Sequence, residues 1–426
     1  MTCTFRIKKE RGQVCHLESG LFFGIMLLLF LVYLDVVPIS ENIILLLMIA
    51  AIAVKIIKRW IIRIECNDYI KVLTTCFLLP FVLVLLYSLL IHFLCRHPVR
   101  YATRSISDIG RILIFLLFFE SYFEIFKGRT AVHFTSVCVI AYLPAIISFI
   151  FEYGLFNGLF LLLSGDAGSL GVSLEVHGLT YVFGAQTIFY FYFWCIHKKA
   201  EYKKLFLVCL LMALLGVKRI ATAAVIAILL AIIIIQLLER TRRNSIVFIG
   251  AWCMVVTAYC YILAIHSGLF EAVFNSIGVR DNTRIAMWNY FRDRYSMDPL
   301  YLGRGISFPQ KIMEVEYGNV YFYTQKGNLN YLRKPLNIHN DILTFYIGLG
   351  FWGSLLYWYS FFVLRVKILW RKYSSETGIF AFMISMYYFI IFMFTNAGIN
   401  ELQNATCMLM IMMAIFNEKE KSQNAK

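Results

Sequence analysis

The stretch Ile338-His339-Asn340-Asp341 sets an imidazole, a carboxamide and a carboxylate directly before an apolar run of helical length. An imidazole has an ordinary pKa of about 6.5 and is mostly unprotonated at neutral pH, so His339 at a helix mouth is a competent general base. Asn340 or Asp341 can cap that helix, and in the plainer reading His339 is a passive interfacial aromatic beside the cap. A second group is cationic. In "RIAMWNYFRDRY", Ile285, Trp288, Phe291 and Tyr295 recur at helical spacing, Asp281 or Asn282 can cap the start, and Arg284 falls inside the apolar stripe. A guanidinium there needs an anion from a ligand or a nearby carboxylate, unless its head reaches past the apolar surface to water. Arg304, between Gly303 and Gly305, suits a phosphate approached by tight backbone, and equally a solvated turn. Lys218 and Arg219 follow Gly216 where two apolar runs meet, and snorkelling and ligand binding both account for them. Arg96, Arg100, Arg104 and Arg111 form a third basic group. Three basic groups on one side of a membrane suit a shared anionic ligand, for which a lipid headgroup is the natural chemistry.

The elements that carry these residues follow from composition. The chain has 426 residues, 60% of them hydrophobic and 15% charged, with a mean hydropathy of +0.72. Those values lie far outside the range of a soluble domain. Apolar stretches suited to a hydrocarbon core of about 30 Å recur along the chain. Twelve can be drawn: 20–38, 42–57, 72–94, 108–126, 131–152, 179–196, 203–216, 220–238, 246–267, 342–364, 378–395 and 405–417. Irregular backbone cannot face lipid, so the expected fold is all-α, a polytopic integral membrane bundle of about twelve transmembrane helices. The expectation is a single transmembrane domain over 1–426, with a large external loop at 269–341 containing short helices and a smaller one at 153–178 that carries Asp166, Glu175 and His177.

Charge sets the orientation. With a cytoplasmic N-terminus, Lys and Arg number 25 in the inner segments against 5 in the short external loops. Both termini are then cytoplasmic, and the first apolar run reads as an uncleaved signal anchor. The net charge of +15 is mostly topology and attraction to membrane lipids, not a nucleic-acid footprint. None of the 11 cysteines lies in 269–341, which argues against a disulfide framework. No metal-spaced cluster of His, Cys and carboxylates, no phosphate-binding loop and no internal repeat is evident. Gly348, Gly350 and Gly353 leave a smooth helix face for another helix or a lipid tail, with packing the commoner use. Asn396, Asn400, Glu401 and Asn404 suit either sugar hydroxyls or turn and cap formation. The aromatic segment "VEYGNVYFYTQKGNLNYL" offers rings for sugar stacking.

The order of these features resembles the O-antigen polymerase and O-antigen ligase superfamily of bacterial envelope enzymes. The residues carrying the resemblance are Arg284 and Trp288 early in the long loop, Pro299 with Gly303 and Gly305, then His339 and Asn340 with Gly348 and Gly353. It is strongest over about 205–365. Of the family's Ser-x-Ser-Arg-like element only Arg219 is present, and the Pro299 turn is one residue longer than the family's form. Arg292 and Gly303 match an Arg, ten residues, Gly spacing described for some polymerases.

The resemblance implies a metal-independent, cofactor-free glycosyltransferase of the bacterial inner membrane. It implies an undecaprenyl-pyrophosphate-linked glycan as donor, with a chain-length regulator protein as partner. Arg219, Arg284 and Arg280 would hold the diphosphate, and His339 would act as general base. Trp288, Arg292, Asn340 and Arg304 would contact the glycan or support those groups. A polymerase passes the growing chain to a new lipid-linked repeat unit, whereas a ligase passes it to lipid A-core. The aromatic loop favours the polymerase. A lipid-linked oligosaccharide flippase is the non-enzyme alternative; it would place its ionisable residues at mid-membrane.

Overall fold

The computed structural model describes residues 11–34, 36–62, 68–154, 156–157, 177–216, 218–276, 284–313, 338–395, 398 and 400–424. Each of the twelve apolar stretches is helical over most of its described residues, and no strand occurs among the described residues. Seven helical stretches among them are long and apolar enough to cross a membrane by length and composition. The chain is an all-helical bundle of membrane type. It divides into two compact units: Met1–Ile70, Ile114–Thr222 and Met408–Lys426 form the first, Lys71–Leu113 and Ala223–Cys407 the second.

In the first unit, aromatic rings lock the helices. Phe22 stacks on Phe118 at 5.4 Å, and Phe30 and Phe119 meet Phe134 edge-on at 6.0 and 5.8 Å. Charges among apolar helices need partners, and here they have them. Lys55 pairs with Glu124 at 2.8 Å, and Arg59 pairs with Glu120 at 2.8 Å and also with Glu124. Two cations thus neutralise two carboxylates between the Glu41–Ile62 and Val99–Phe126 helices. Two buried hydroxyls are satisfied likewise: Thr135 donates to Gln186 at 2.6 Å, and the Tyr190 hydroxyl donates to the Ala131 carbonyl at 2.8 Å.

In the second unit, the Arg240–His266 helix packs against the later part of the Asp341–Lys372 helix through Trp252 and Tyr359, and Tyr259 and Trp358. Arg365, which the sequence places among the topology-setting cytoplasmic cations, is only 1% exposed. Its guanidinium lies between the rings of Phe77 and Phe361, at 4.1 and 3.8 Å from their centres. Nε and Nη2 donate to the Cys76 carbonyl at 3.3 and 3.0 Å. Both rings belong to π-helical turns, Thr74–Leu78 and Tyr359–Leu364. Such a turn shifts the hydrogen-bond ladder and leaves a carbonyl able to accept from elsewhere. Replacing Arg365 by Met keeps the bulk but loses the cation between the rings and the donor to Cys76. We expect a cost of about 2–4 kcal/mol. The thermal midpoint of detergent-purified Arg365→Met should fall, with Arg365→Lys intermediate, and an unchanged midpoint would show that the sandwich contributes nothing.

Candidate functional site

The frame of the site is a broken helix in the second unit. At Gly350 the backbone takes φ 69° and ψ −168°, which interrupts the helix that begins at Asp341. In an unbroken helix Ile347 would accept from Phe351. Instead Ile347 accepts from the Arg304 N–H at 2.9 Å, Gly348 from the Gly305 N–H at 2.7 Å, and Phe351 donates to the Tyr301 carbonyl at 2.9 Å. The loop after Pro299 therefore supplies the backbone partners that the break removes. Asp298 starts that loop by accepting from Leu300 N–H at 2.8 Å, and Gly303 and Gly305 allow its path with φ of 93° and 88°. A Cβ at Gly303, Gly348 or Gly350 would run into the opposite backbone.

The bend is sharp. Phe345 and Tyr357 stack with ring centres 4.2 Å apart, although twelve residues of straight helix would separate them by about 18 Å. The stretch expected as one helix over 342–364 is thus a short helix over 341–350, a break, and a second helix running on to Lys372. The glycine face expected to meet a helix or lipid tail meets a loop at Gly348 and Gly350, while Gly353 lies against the ring of Tyr87.

His339 sits at the start of the short helix with φ 54°, an uncommon conformation for a residue with a Cβ. Its side chain is exposed while Ile338 and Asn340 on either side are buried. Three anchors impose this geometry. The Trp288 indole donates to the Ile338 carbonyl at 3.0 Å. Asn340 is the cap: its Oδ1 accepts from Leu343 N–H at 2.9 Å, and its Nδ2 donates to the Tyr261 hydroxyl at 3.2 Å. The Asp341 N–H donates to the Thr395 carbonyl at 3.0 Å, and its buried carboxylate accepts from Gly398 N–H at 2.5 Å. Strained backbone of this kind, costing roughly 1–3 kcal/mol, persists where surroundings over-determine it and clusters at functional sites.

Trp288 stands one turn beyond Arg284 on the Arg284–Tyr290 helix, so that helix is tied directly to the segment carrying His339. Ile285, Trp288, Phe291 and Tyr295 are all buried as the stripe predicts, although the helix ends at Tyr290 and gives way to a 3-10 turn at Arg292–Arg294.

At the other end of the short helix, Arg304 meets the basic hairpin, a pairing the sequence did not reveal. His97, Tyr101 and Phe308 form a ring stack, with His97 to Phe308 at 5.3 Å and Tyr101 to Phe308 at 5.9 Å. Arg304 lies over Phe308 at 5.9 Å and Arg100 over Tyr101 at 5.6 Å. Burial, and then the Arg304 cation, push the His97 imidazole below its ordinary pKa, so it is neutral at pH 7. Its Nδ1 lies 3.0 Å from Nδ1 of His92, whose Nε2 meets Ser105 Oγ at 3.0 Å. Asp108 joins loop to hairpin, pairing with Arg104 at 2.8 Å and accepting from Ser307 at 3.0 Å.

Other expected residues fall elsewhere. Arg292 donates to Asn289 at 2.9 Å and lies 3.8 Å from Glu271. Arg219 belongs to the first unit, exposed at the start of the Arg219–Leu237 helix. At the start of the Glu401–Asn424 helix, Asn404 donates to the Gly398 and Asn400 carbonyls at 2.9 Å, and Asn400 accepts from Gln403 N–H at 3.1 Å, the cap-forming alternative. Arg280, Asp281, Asn282, Asn396, the 158–176 stretch with Asp166 and Glu175, the aromatic segment 315–332 and the side chains of His177 and Arg284 lie outside the described residues. The geometry thus comprises a strained, exposed imidazole at one end of a short buried helix and an arginine-rich cluster at the other. Compared with protein-family models, curated proteins and solved structures, the chain finds no match in any of the three.

Proposed function

We propose that this chain is a polymerase of a bacterial surface polysaccharide, O-antigen in class, acting at the periplasmic face of the inner membrane. In this reading about twelve helices span the bilayer, both termini are cytoplasmic, and 269–341 is the periplasmic loop carrying the chemistry. The observation that carries the reading is His339: an exposed imidazole held in left-handed backbone between two buried neighbours and tied through Trp288 to the helix that begins with Arg284. The donor is a glycan linked to undecaprenyl pyrophosphate and the acceptor a lipid-linked repeat unit. A sugar hydroxyl of the acceptor attacks the donor's anomeric carbon, the bond from that carbon to the diphosphate oxygen breaks, and undecaprenyl pyrophosphate leaves with the electron pair. His339 takes the hydroxyl proton. Arg284, with Arg280, neutralises the charge that develops on the diphosphate; planar guanidiniums suit it because they bind phosphate oxygens in pairs.

Deleting the gene tests polymerase against its neighbours in function. Without a polymerase, a ligase still transfers single units, so lipopolysaccharide on a gel should show core plus one short step. Core without any repeat, with long glycan held on undecaprenyl pyrophosphate, would make the chain a ligase. Single lipid-linked units trapped on the cytoplasmic face would make it a flippase.

A further inference from the structure

We propose that the cluster of Arg96, Arg100 and Arg304 is a second lipid-diphosphate site, which holds the headgroup of the acceptor while its glycan reaches His339. This rests on the polymerase reading above, because only a polymerase takes two substrates that are both linked to a lipid through a diphosphate. All three arginines are exposed, and none pairs with a carboxylate among the described residues. The carboxylate beside them, Asp108, is engaged by Arg104 and Ser307. The ring stack of His97, Tyr101 and Phe308 fixes where the cations stand: Arg304 and Arg100 lie over its rings, and Arg96 precedes His97 in a turn with φ 53°. A neutral His97 leaves the charge of the cluster to the guanidiniums, which meet phosphate oxygens two at a time.

An apolar ridge leads to the cluster. Leu79, Leu83, Leu86, Leu90 and Leu94 are exposed at helical spacing along the helix that ends just before Arg96. A polyprenyl tail along that ridge would bring its diphosphate to the hairpin. The Arg304 N–H is bonded to Ile347, whereas His339 precedes the first turn of the same short helix, so about 12 Å of helix separates the two ends. A short oligosaccharide spans that length, and the terminal hydroxyl of an acceptor anchored at the cluster would then lie beside the base.

The shared chemistry is a lipid phosphate, and its source can be the acceptor or an ordinary anionic phospholipid. The test uses the full chain in nanodiscs and undecaprenyl pyrophosphate bearing a single repeat unit and a photoactivatable group beside the diphosphate. The expected result is crosslinking to residues 96–104 and 300–308, reduced at least 10-fold by the combined Arg96→Gln, Arg100→Gln and Arg304→Gln variant, with the thermal midpoint unchanged. Excess phosphatidylglycerol should not compete. Mole-for-mole competition by phosphatidylglycerol would reassign the cluster to bulk lipid, and undiminished crosslinking in the triple variant would remove the site altogether. The readout is binding, so it is independent of the functional reading, which fails separately if a His339→Gly variant still makes polymer.

Discussion

Replacing Gly350 by alanine is expected to abolish the assembled protein. The φ and ψ of 69° and −168° belong to a region open essentially to glycine alone. A Cβ there would also overlap the Tyr301 carbonyl. The chain has two ways to relieve the clash, and both are costly. If the helix straightens through residue 350, it reclaims Ile347 for Phe351 and leaves the N–H of Arg304 and the carbonyl of Tyr301 without their partners. If the loop withdraws, the Ile347 and Gly348 carbonyls are orphaned instead. Each buried orphan costs about 1–3 kcal/mol, and the total of several such groups rivals the whole stability of a folded domain. Size-exclusion profiles of the detergent-extracted variant should show aggregate or no protein. Gly110→Ala is the matched control: nothing lies within 4 Å of a Cβ there, and alanine favours the helix. A monodisperse Gly350→Ala protein with the native thermal midpoint would show that the break is not required.

Replacing His339 is expected to have the opposite signature, lost activity on an intact fold. Glycine is the informative substitution, because φ 54° costs glycine nothing while the Trp288, Asn340 and Asp341 anchors act through neighbouring groups and remain in place. A residue that merely turned the chain would be replaced by glycine without loss. As general base it would not, and the rate of polymer formation should fall by about two to four orders of magnitude in both His339→Gly and His339→Ala. Membrane abundance and thermal midpoint should stay near native for the glycine variant. Native polymer levels in both variants would return His339 to the passive interfacial role.

Much of the architecture was legible because hydropathy is local. Every apolar run proved largely helical, and the buried stripe of Ile285, Trp288, Phe291 and Tyr295 was plain from spacing. A cap at Asn340 or Asp341 was legible for the same reason, since a cap is a relation across three residues, and the structure chooses Asn340. The break at Gly350 was not, since what sustains it is a loop more than forty residues earlier in the chain. Glycines at 348, 350 and 353 fit a smooth helix face and a broken helix equally well until the partner is known. In retrospect the doubled Gly-x-Gly, at Gly303 and Gly305 and again at Gly348 and Gly350, was the available signal for two backbones in contact. Nothing local could join Arg304 to the hairpin at Arg96–Arg100, because the contact runs through a ring stack assembled from distant segments. Arg365 shows the converse limit: basic residues near helix ends are read as cytoplasmic markers, and only packing shows this one enclosed by Phe77 and Phe361.

The proposed reaction can be followed with purified protein in liposomes supplied with undecaprenyl-pyrophosphate-linked repeat units, by measuring glycan length and free undecaprenyl pyrophosphate together. The expected result is a ladder of lengthened lipid-linked glycans, one undecaprenyl pyrophosphate released for each unit joined, and neither product with His339→Gly. Repeat units that cross the bilayer without lengthening, or lengthening that proceeds equally well in His339→Gly, would contradict it.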